Sequence, residues 1–153
     1  MLFRSGTSVG ISALYQQAGN PSAKIITLEG CPETATLARA SFAKFSGNRI
    51  QLVEGSFQET LSTVLQQIPE IDYVFIDGHH QLQPTLNYFE MCLSKLHANS
   101  IVIIDDINWS DEMREAWKKI KQHPRVSISI DVFMMGIVFL NPGFSKEEFV
   151  IRY

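Results

Sequence analysis

Residues 1–10, MLFRSGTSVG, run directly into ISALYQQA, and the reading of the whole chain depends on this junction. Leu2 and Phe3 are apolar, Ser5-Gly6-Thr7-Ser8 is a turn of small residues, and Val9, Ile11, Ala13, Leu14 and Ala18 fall on one helical face. The pattern is strand, glycine turn, helix. Gly6 and Gly10 permit backbone angles that strain other residues and let a ligand approach closely, while the helix behind the turn offers unpaired N–H groups at its start. A ligand with negative charge or many acceptor atoms suits such a turn. The spacing is GxxxG, whereas the dinucleotide fingerprint GxGxxG needs a middle glycine to admit a pyrophosphate, and here Thr7 and Ser8 fill that space. An NAD-dependent oxidoreductase is therefore disfavoured, the more so because no Ser/Tyr/Lys or His catalytic set is recognisable.

Working outward, Ala18-Gly19-Asn20-Pro21 signals a turn, and Lys24–Leu28 is a short β-branched strand ending at Glu29 and Gly30. Pro32 opens a helix through ETATLARASFAKF that Gly47-Asn48 closes. A third strand, Ile50–Val53, ends in Glu54-Gly55-Ser56-Phe57, and the helix over 58–67 stops before Pro69. The strongly apolar strand Ile71–Ile76 ends at Asp77-Gly78-His79-His80, and a helix is expected over 84–96. Ser100–Ile104 is the most hydrophobic strand and ends at Asp105-Asp106. Ser110, Asp111 and Glu112 open the next helix and lysines close it, matching the helix dipole. Val126–Val132 and Gly136–Leu140 are joined by too short a link for a parallel crossover, so they form an antiparallel pair, and Phe149–Tyr153 is expected as a last short strand. Five βα units and a closing hairpin predict a Rossmann-like, doubly wound α/β fold: a mostly parallel sheet of about seven strands with an antiparallel C-terminal hairpin. Ligands of such sheets sit beyond the carboxyl ends of the strands, where GTSVG, Glu29, Gly55-Ser56, Asp77-Gly78-His79-His80 and Asp105-Asp106 gather.

Length and composition bound the function. With 153 residues, 45% of them hydrophobic, one domain over 1–153 is expected. The net charge of −3 and scattered basic residues speak against nucleic-acid binding, and Lys118, Lys119 and Lys121 read as a solvated helix face. Cys31 and Cys92 lack metal or redox spacing and read as free thiols. Without a signal peptide or a spanning apolar run, a cytoplasmic location and no membrane partner are expected.

The ordered array of GTSVG, an acid after strand two, EGS after strand three, IDGHH after strand four and IIDD after strand five resembles the class I S-adenosylmethionine-dependent methyltransferases. It is most similar to the small O-methyltransferase group with ELGTSxG-like and DGxH-like motifs, over nearly the whole chain. That resemblance implies S-adenosylmethionine as cofactor and a small hydroxylated molecule as methyl acceptor. Gly6, Thr7, Ser8 and Gly10 would wrap the methionine portion. Glu29, beside Gly30, would accept both ribose hydroxyls, since a carboxylate offers acceptors for a vicinal diol. Ser56 takes the adenine-contacting position, where the family often has Asp. Phe57 reads equally as a cover for the adenine face or as core. Asp77 would lie close to the transferred methyl. In members resembling catechol methyltransferases, Asp77, Asp105 and Asp106 would hold a divalent ion, with Mg²⁺ the fitting guest because it favours hard oxygen ligands; alternatively Asp105 or Asp106 merely caps its loop. His80 is the candidate general base, since neutral imidazole takes a hydroxyl proton near pH 7; His79 and His80 also read as plain loop residues. Trp109 reads either as a wall for an aromatic acceptor or as core, and Met134 and Met135 as hairpin packing.

Two departures stand out. Arg4 replaces the acid that usually ends strand one and helps hold the cofactor's amino group, which an arginine would repel. The N-terminal helical cap of the family is also missing ahead of Leu2, so an open, weakly catalytic site is expected, with bare apolar surface covered by a second copy in a two-fold homodimer. A degenerate methyltransferase fold that binds cofactor or a partner without turnover is the alternative these departures favour.

Overall fold

The computed structural model describes residues 1–45 and 49–152. The expected Gly47-Asn48 helix closure and Tyr153 lie outside them. The chain divides into two compact units, Met1–Pro69 and Glu70–Tyr153.

The first unit alternates β1 (Leu2–Ser5), α1 (Ile11–Gly19), β2 (Ile25–Glu29), α2 (Pro32–Ala43), β3 (Ile50–Glu54) and α3 (Phe57–Gln67). Its strands lie in the order β3-β2-β1 and are parallel, with Ser5 beside Leu28 and Glu29 beside Glu54. That register brings the carboxyl ends of all three strands to one edge. Phe3, Ile25, Leu28 and Leu61 are fully buried, and Ala13, Ala38 and Phe42 form a cluster against which Leu14, Ile50 and Leu52 pack. Pro32 starts α2 where a missing N–H costs nothing. Ser56 caps α3 through its side chain: its hydroxyl accepts from the Glu59 N–H and donates to the Glu59 carboxylate.

In the second unit, β4 (Ile71–Ile76), α4 (Leu82–Leu93), β5 (Leu96–Ile104), α5 (Asp111–Gln122), β6 (Ile128–Asp131), β7 (Gly136–Phe139) and β8 (Glu147–Val150) follow one another. The strand order is β4-β5-β7-β6-β8; β4–β5 and β6–β8 are parallel, and β7 runs antiparallel to both β5 and β6. The α/β class, the five βα units and the antiparallel C-terminal strands are as the sequence predicts. Among the described residues no helix is long and apolar enough to cross a membrane.

Two boundaries differ from expectation. The helix expected to reach residue 96 ends at Leu93, and β5 starts at Leu96 rather than Ser100. The Ile71 N–H donates to the Lys95 carbonyl, and the buried Ser100 hydroxyl donates to the Ile71 carbonyl at 2.6 Å while accepting from the His97 N–H, so the chain enters the sheet through a bulge. The polar His97 and Asn99 and the small Ala98 hide that strand from a hydrophobicity pattern. The last strand likewise begins at Glu147, two residues before Phe149, and pairs parallel to β6.

Gly136 on β7 lies under the Trp117 ring of α5, where a Cβ would come within 2.6 Å. Gly136→Ala is expected to destabilise the fold by about 1–3 kcal/mol, as overpacking does. Gly19→Ala, where a Cβ meets nothing within 4 Å, serves as the control; urea unfolding of both variants checks the difference.

Candidate functional site

In the first unit the polar edge is built on the turn between β1 and α1. Gly6 (φ +81°), Ser8 (φ +50°) and Gly10 (φ +86°) occupy the left-handed region, which only glycine enters without strain. At Gly10 a Cβ would also come within 2.6 Å of the Phe42 ring, so both the angle and the packing demand glycine. Gly10 is the N-cap of α1, a nine-residue helix with no side-chain cap at its start. Its first N–H groups are thus available to a ligand.

Thr7 fastens this turn. Its hydroxyl lies 2.7 Å from the Thr27 hydroxyl and donates to the Leu28 carbonyl at 2.8 Å, and its N–H donates to the same carbonyl. Thr7 therefore faces the core and shapes the turn rather than touching a ligand through its side chain. Glu29 holds the outer side: one carboxylate oxygen accepts from the Ser8 N–H (2.8 Å) and the other from the Cys31 N–H at the start of α2 (3.0 Å). A carboxylate has about four acceptor sites, so each oxygen keeps capacity for a hydroxyl group. The Gly55 N–H donates to the Glu29 carbonyl, bringing β3's end alongside. Gly30 is exposed, and the exposed Cys31 thiol donates to Glu33, lowering that carboxyl below its usual range.

Arg4 does not stand at this edge as a bare charge. It is 4% exposed, and its guanidinium donates to the Gly6 carbonyl at 2.8 Å and to the Ser12 hydroxyl, clamping the turn from within. Sequence reasoning assigned it only a repulsive role; its position two residues before the glycine is the signal for the clamp. Phe57 is 7% exposed and belongs to the core, while Ser56 spends its hydroxyl on the α3 cap. Gly6, Ser8, Gly10, Glu29 and Gly30 lie at this edge; Thr7 supports the turn from below, and Ser56 and Phe57 form the start of α3.

The second unit assembles the other expected groups at the ends of β4 and β5. The His80 imidazole lies between two carboxylates, 3.7 Å from Asp77 Oδ1 through Nε2 and 3.4 Å from Asp106 Oδ2 through Nδ1. Asp105 accepts the Asp106 N–H at 3.0 Å. His79, His80, Asp106 and Phe133 all have positive φ. Such backbone strain gathers at functional loops. His79 Nδ1 shares a 3.0 Å hydrogen bond with the buried Tyr88 hydroxyl, whose pKa burial pushes up.

Among the described residues no three of His, Cys, Asp and Glu form a group that could hold a metal ion. Asp77, Asp105 and Asp106 thus do not make the expected three-carboxylate set: His80 stands between Asp77 and Asp106, and Asp105 turns to a backbone N–H. These side chains, as arranged, do not fit Mg²⁺.

Trp109 is 71% exposed and is not core. Its loop is pinned to the β6–β7 turn, because the Asn108 side chain donates to the Phe133 carbonyl (2.6 Å) and the Ile107 N–H to the Met134 carbonyl (3.1 Å). Phe133 and Met134 are exposed there, so Met134 does not pack the hairpin as expected.

A family model described as a methyltransferase domain matches residues 4–107. The chain belongs to this methyltransferase domain family. Among solved structures, the chain resembles the Podospora anserina methyltransferase PaMTH1 bound to S-adenosylhomocysteine, at 23% identity and a TM-score of 0.76, covering 92% of this chain and 71% of that one. An O-methyltransferase from Bacillus cereus in complex with S-adenosylhomocysteine is similar at 22% identity and a TM-score of 0.75, covering 90% and 73%. The fold is thus Rossmann-like, of the methyltransferase type. Uncharacterized protein R132 of Acanthamoeba polyphaga mimivirus is 32% identical over 79 residues, 48% of this chain and 36% of that protein, so the match spans about a third of that curated relative.

Thr7→Val, which keeps the shape and removes the hydroxyl, is expected to destabilise the fold by about 1–3 kcal/mol because the Thr27 and Leu28 groups lose a buried partner. Chemical denaturation measures it; an unchanged midpoint would show the latch to be dispensable.

Proposed function

We propose that this chain is an S-adenosylmethionine-dependent methyltransferase that methylates a hydroxyl group on a small molecule with an aromatic or other flat apolar body. The observation that carries the reading is the Glu29 carboxylate at the end of β2, bound to the glycine turn on one side and to α2 on the other, in a chain of the methyltransferase family. Glu29 would accept the ribose hydroxyls, and the turn from Gly6 to Gly10 with the uncapped start of α1 would receive the carboxylate-bearing methionine end. The glycines fit such a ligand, since a Cβ at Gly10 has no room and the Gly6 angle presents backbone rather than side chain. Because Arg4 is spent on Gly6 and Ser12, its charge is part of the scaffold.

Adenosylmethionine, when bound, supplies an electrophilic methyl group on a sulfonium sulfur. A hydroxyl that accepted this methyl group would have to lose its proton to a group of this chain. His80 would take that proton at Nε2, which at 3.7 Å from Asp77 is not hydrogen-bonded to it, while Asp106, 3.4 Å from Nδ1, would orient the ring and both carboxylates would stabilise the imidazolium that results. Trp109 and the neighbouring Phe133 would hold the apolar body of the acceptor.

The test is a methyl-transfer assay with labelled adenosylmethionine and a panel of phenolic and aliphatic hydroxyl acceptors, beside calorimetry with adenosylhomocysteine. Glu29→Ala should weaken binding by about 1.5–3 kcal/mol, the scale of hydrogen bonds to a charged group; equal affinity would remove Glu29 from the site. His80→Ala should lower kcat by about 10²–10⁴-fold, the usual contribution of a general base, with product affinity unchanged. Undiminished turnover would end that assignment. Turnover abolished by chelation and restored by magnesium would instead give the activation of the hydroxyl to a cation.

A further inference from the structure

Strand β8 stands at the end of the second unit's strand order and pairs with β6 along one edge. Its residues Glu147–Val150 are exposed on both faces, and so are Ile151 and Arg152. The Glu147 N–H donates to the Ser127 carbonyl and the Ile151 N–H to the Asp131 carbonyl, both at 2.8 Å. The alternation of a ladder therefore turns the main-chain groups of Glu148, Val150 and Arg152 outward, where nothing among the described residues pairs with them. A row of unpaired main-chain groups of this kind is a template for another strand.

We propose that this edge pairs two copies of the chain, antiparallel and centred on Val150. The outward-facing residues must oppose one another for their hydrogen bonds to be made, which leaves few registers. With Val150 opposite its own copy, Glu148 faces Arg152 of the other copy, twice, and on the opposite face Phe149 meets Ile151, twice. Sliding the pairing by two residues sets Arg152 against Lys146 or against Val150 instead. The sequence EFVIR is thus self-complementary in charge and in apolar contact about one point, as a two-fold interface requires. Glu148 already pairs with Lys121 (2.5 Å) and Arg152 with Asp131 (3.0 Å), so the cross-pairs join two local ion pairs into a four-charge network. Neither local bond uses the outward main-chain groups.

Contact through one short strand sits at the small end of specific interfaces, below ~1,200 Å², so dimer is expected to accumulate as concentration rises toward about 100 micromolar. Sedimentation equilibrium over that range tests the proposal. The wild-type chain should double in mass. Glu148→Arg and Arg152→Glu should each be monomeric, because each places like charges opposite one another. An equal mixture of the two should recover the dimer, since each then supplies the charge the other lacks. Val150→Pro, whose N–H takes no part in the β6 ladder, should also be monomeric, and circular dichroism of every variant should match the wild type. A wild-type chain that stays monomeric, a mixture that fails to associate, or a dimer that persists in Val150→Pro and in both charge variants would overturn the proposal.

Discussion

Two hydroxyls 2.7 Å apart in the core of the first unit, those of Thr7 and Thr27, set the shape of everything at its polar edge. Because the Thr7 side chain is drawn down onto β2, the backbone on either side must enter the left-handed region, at Gly6, Ser8 and Gly10. That path turns the Ser8 N–H outward to the Glu29 carboxylate and leaves Gly10 pressed on Phe42. Arg4 closes the arrangement from the other side through Gly6 and Ser12. Buried polar groups of this kind are stabilising only while every partner is present, so the turn is held by mutual dependence rather than by any one strong contact.

Much of this was legible in the sequence. Strands and helices alternate with clear periodicities, and Pro32 and Ser110 mark helix starts that the structure keeps. Glu29 was legible as a strand-end residue because an acid closing a buried β-branched strand has nowhere to go but the strand-end edge. Less visible were the inward turn of Thr7 and the clamp of Arg4, since sequence spacing does not say to which side of a turn a side chain points. Phe57 illustrates a conflict between two signals: the Ser56 N-cap fixes where α3 starts, and that start drives the next side chain into the core. Trp109, which reads from the sequence either as an acceptor wall or as core, is exposed. Its loop is held off the core by backbone bonds from Asn108 and Ile107 to the β6–β7 turn, which no local pattern reveals.

In the second unit the acids after β4 and β5 were legible as a group, but their partner was not. Three carboxylates in sequence proximity suggested a cation between them. The structure places the imidazole of His80 between two of them instead, because the positive φ of His79 and His80 folds the loop back on its own strand end. A carboxylate pair flanking an imidazole is suited to holding a ring in one orientation, and orientation is what a proton acceptor requires.

The same loops carry a tension between durability and usefulness. Four non-glycine residues, His79, His80, Asp106 and Phe133, are kept in left-handed backbone geometry within one unit, and each such residue costs of the order of 1–3 kcal/mol where the surroundings enforce a sparsely populated conformation. Under selection for thermal survival alone, His79 and Asp106 are positions where glycine or asparagine would be favoured, and drift toward those residues would remove the side chains that give the loops their chemistry. Replacing His79 by glycine would therefore relieve backbone strain in this unit at the cost of the hydrogen bond to Tyr88, so the loop trades one stabilising term against another.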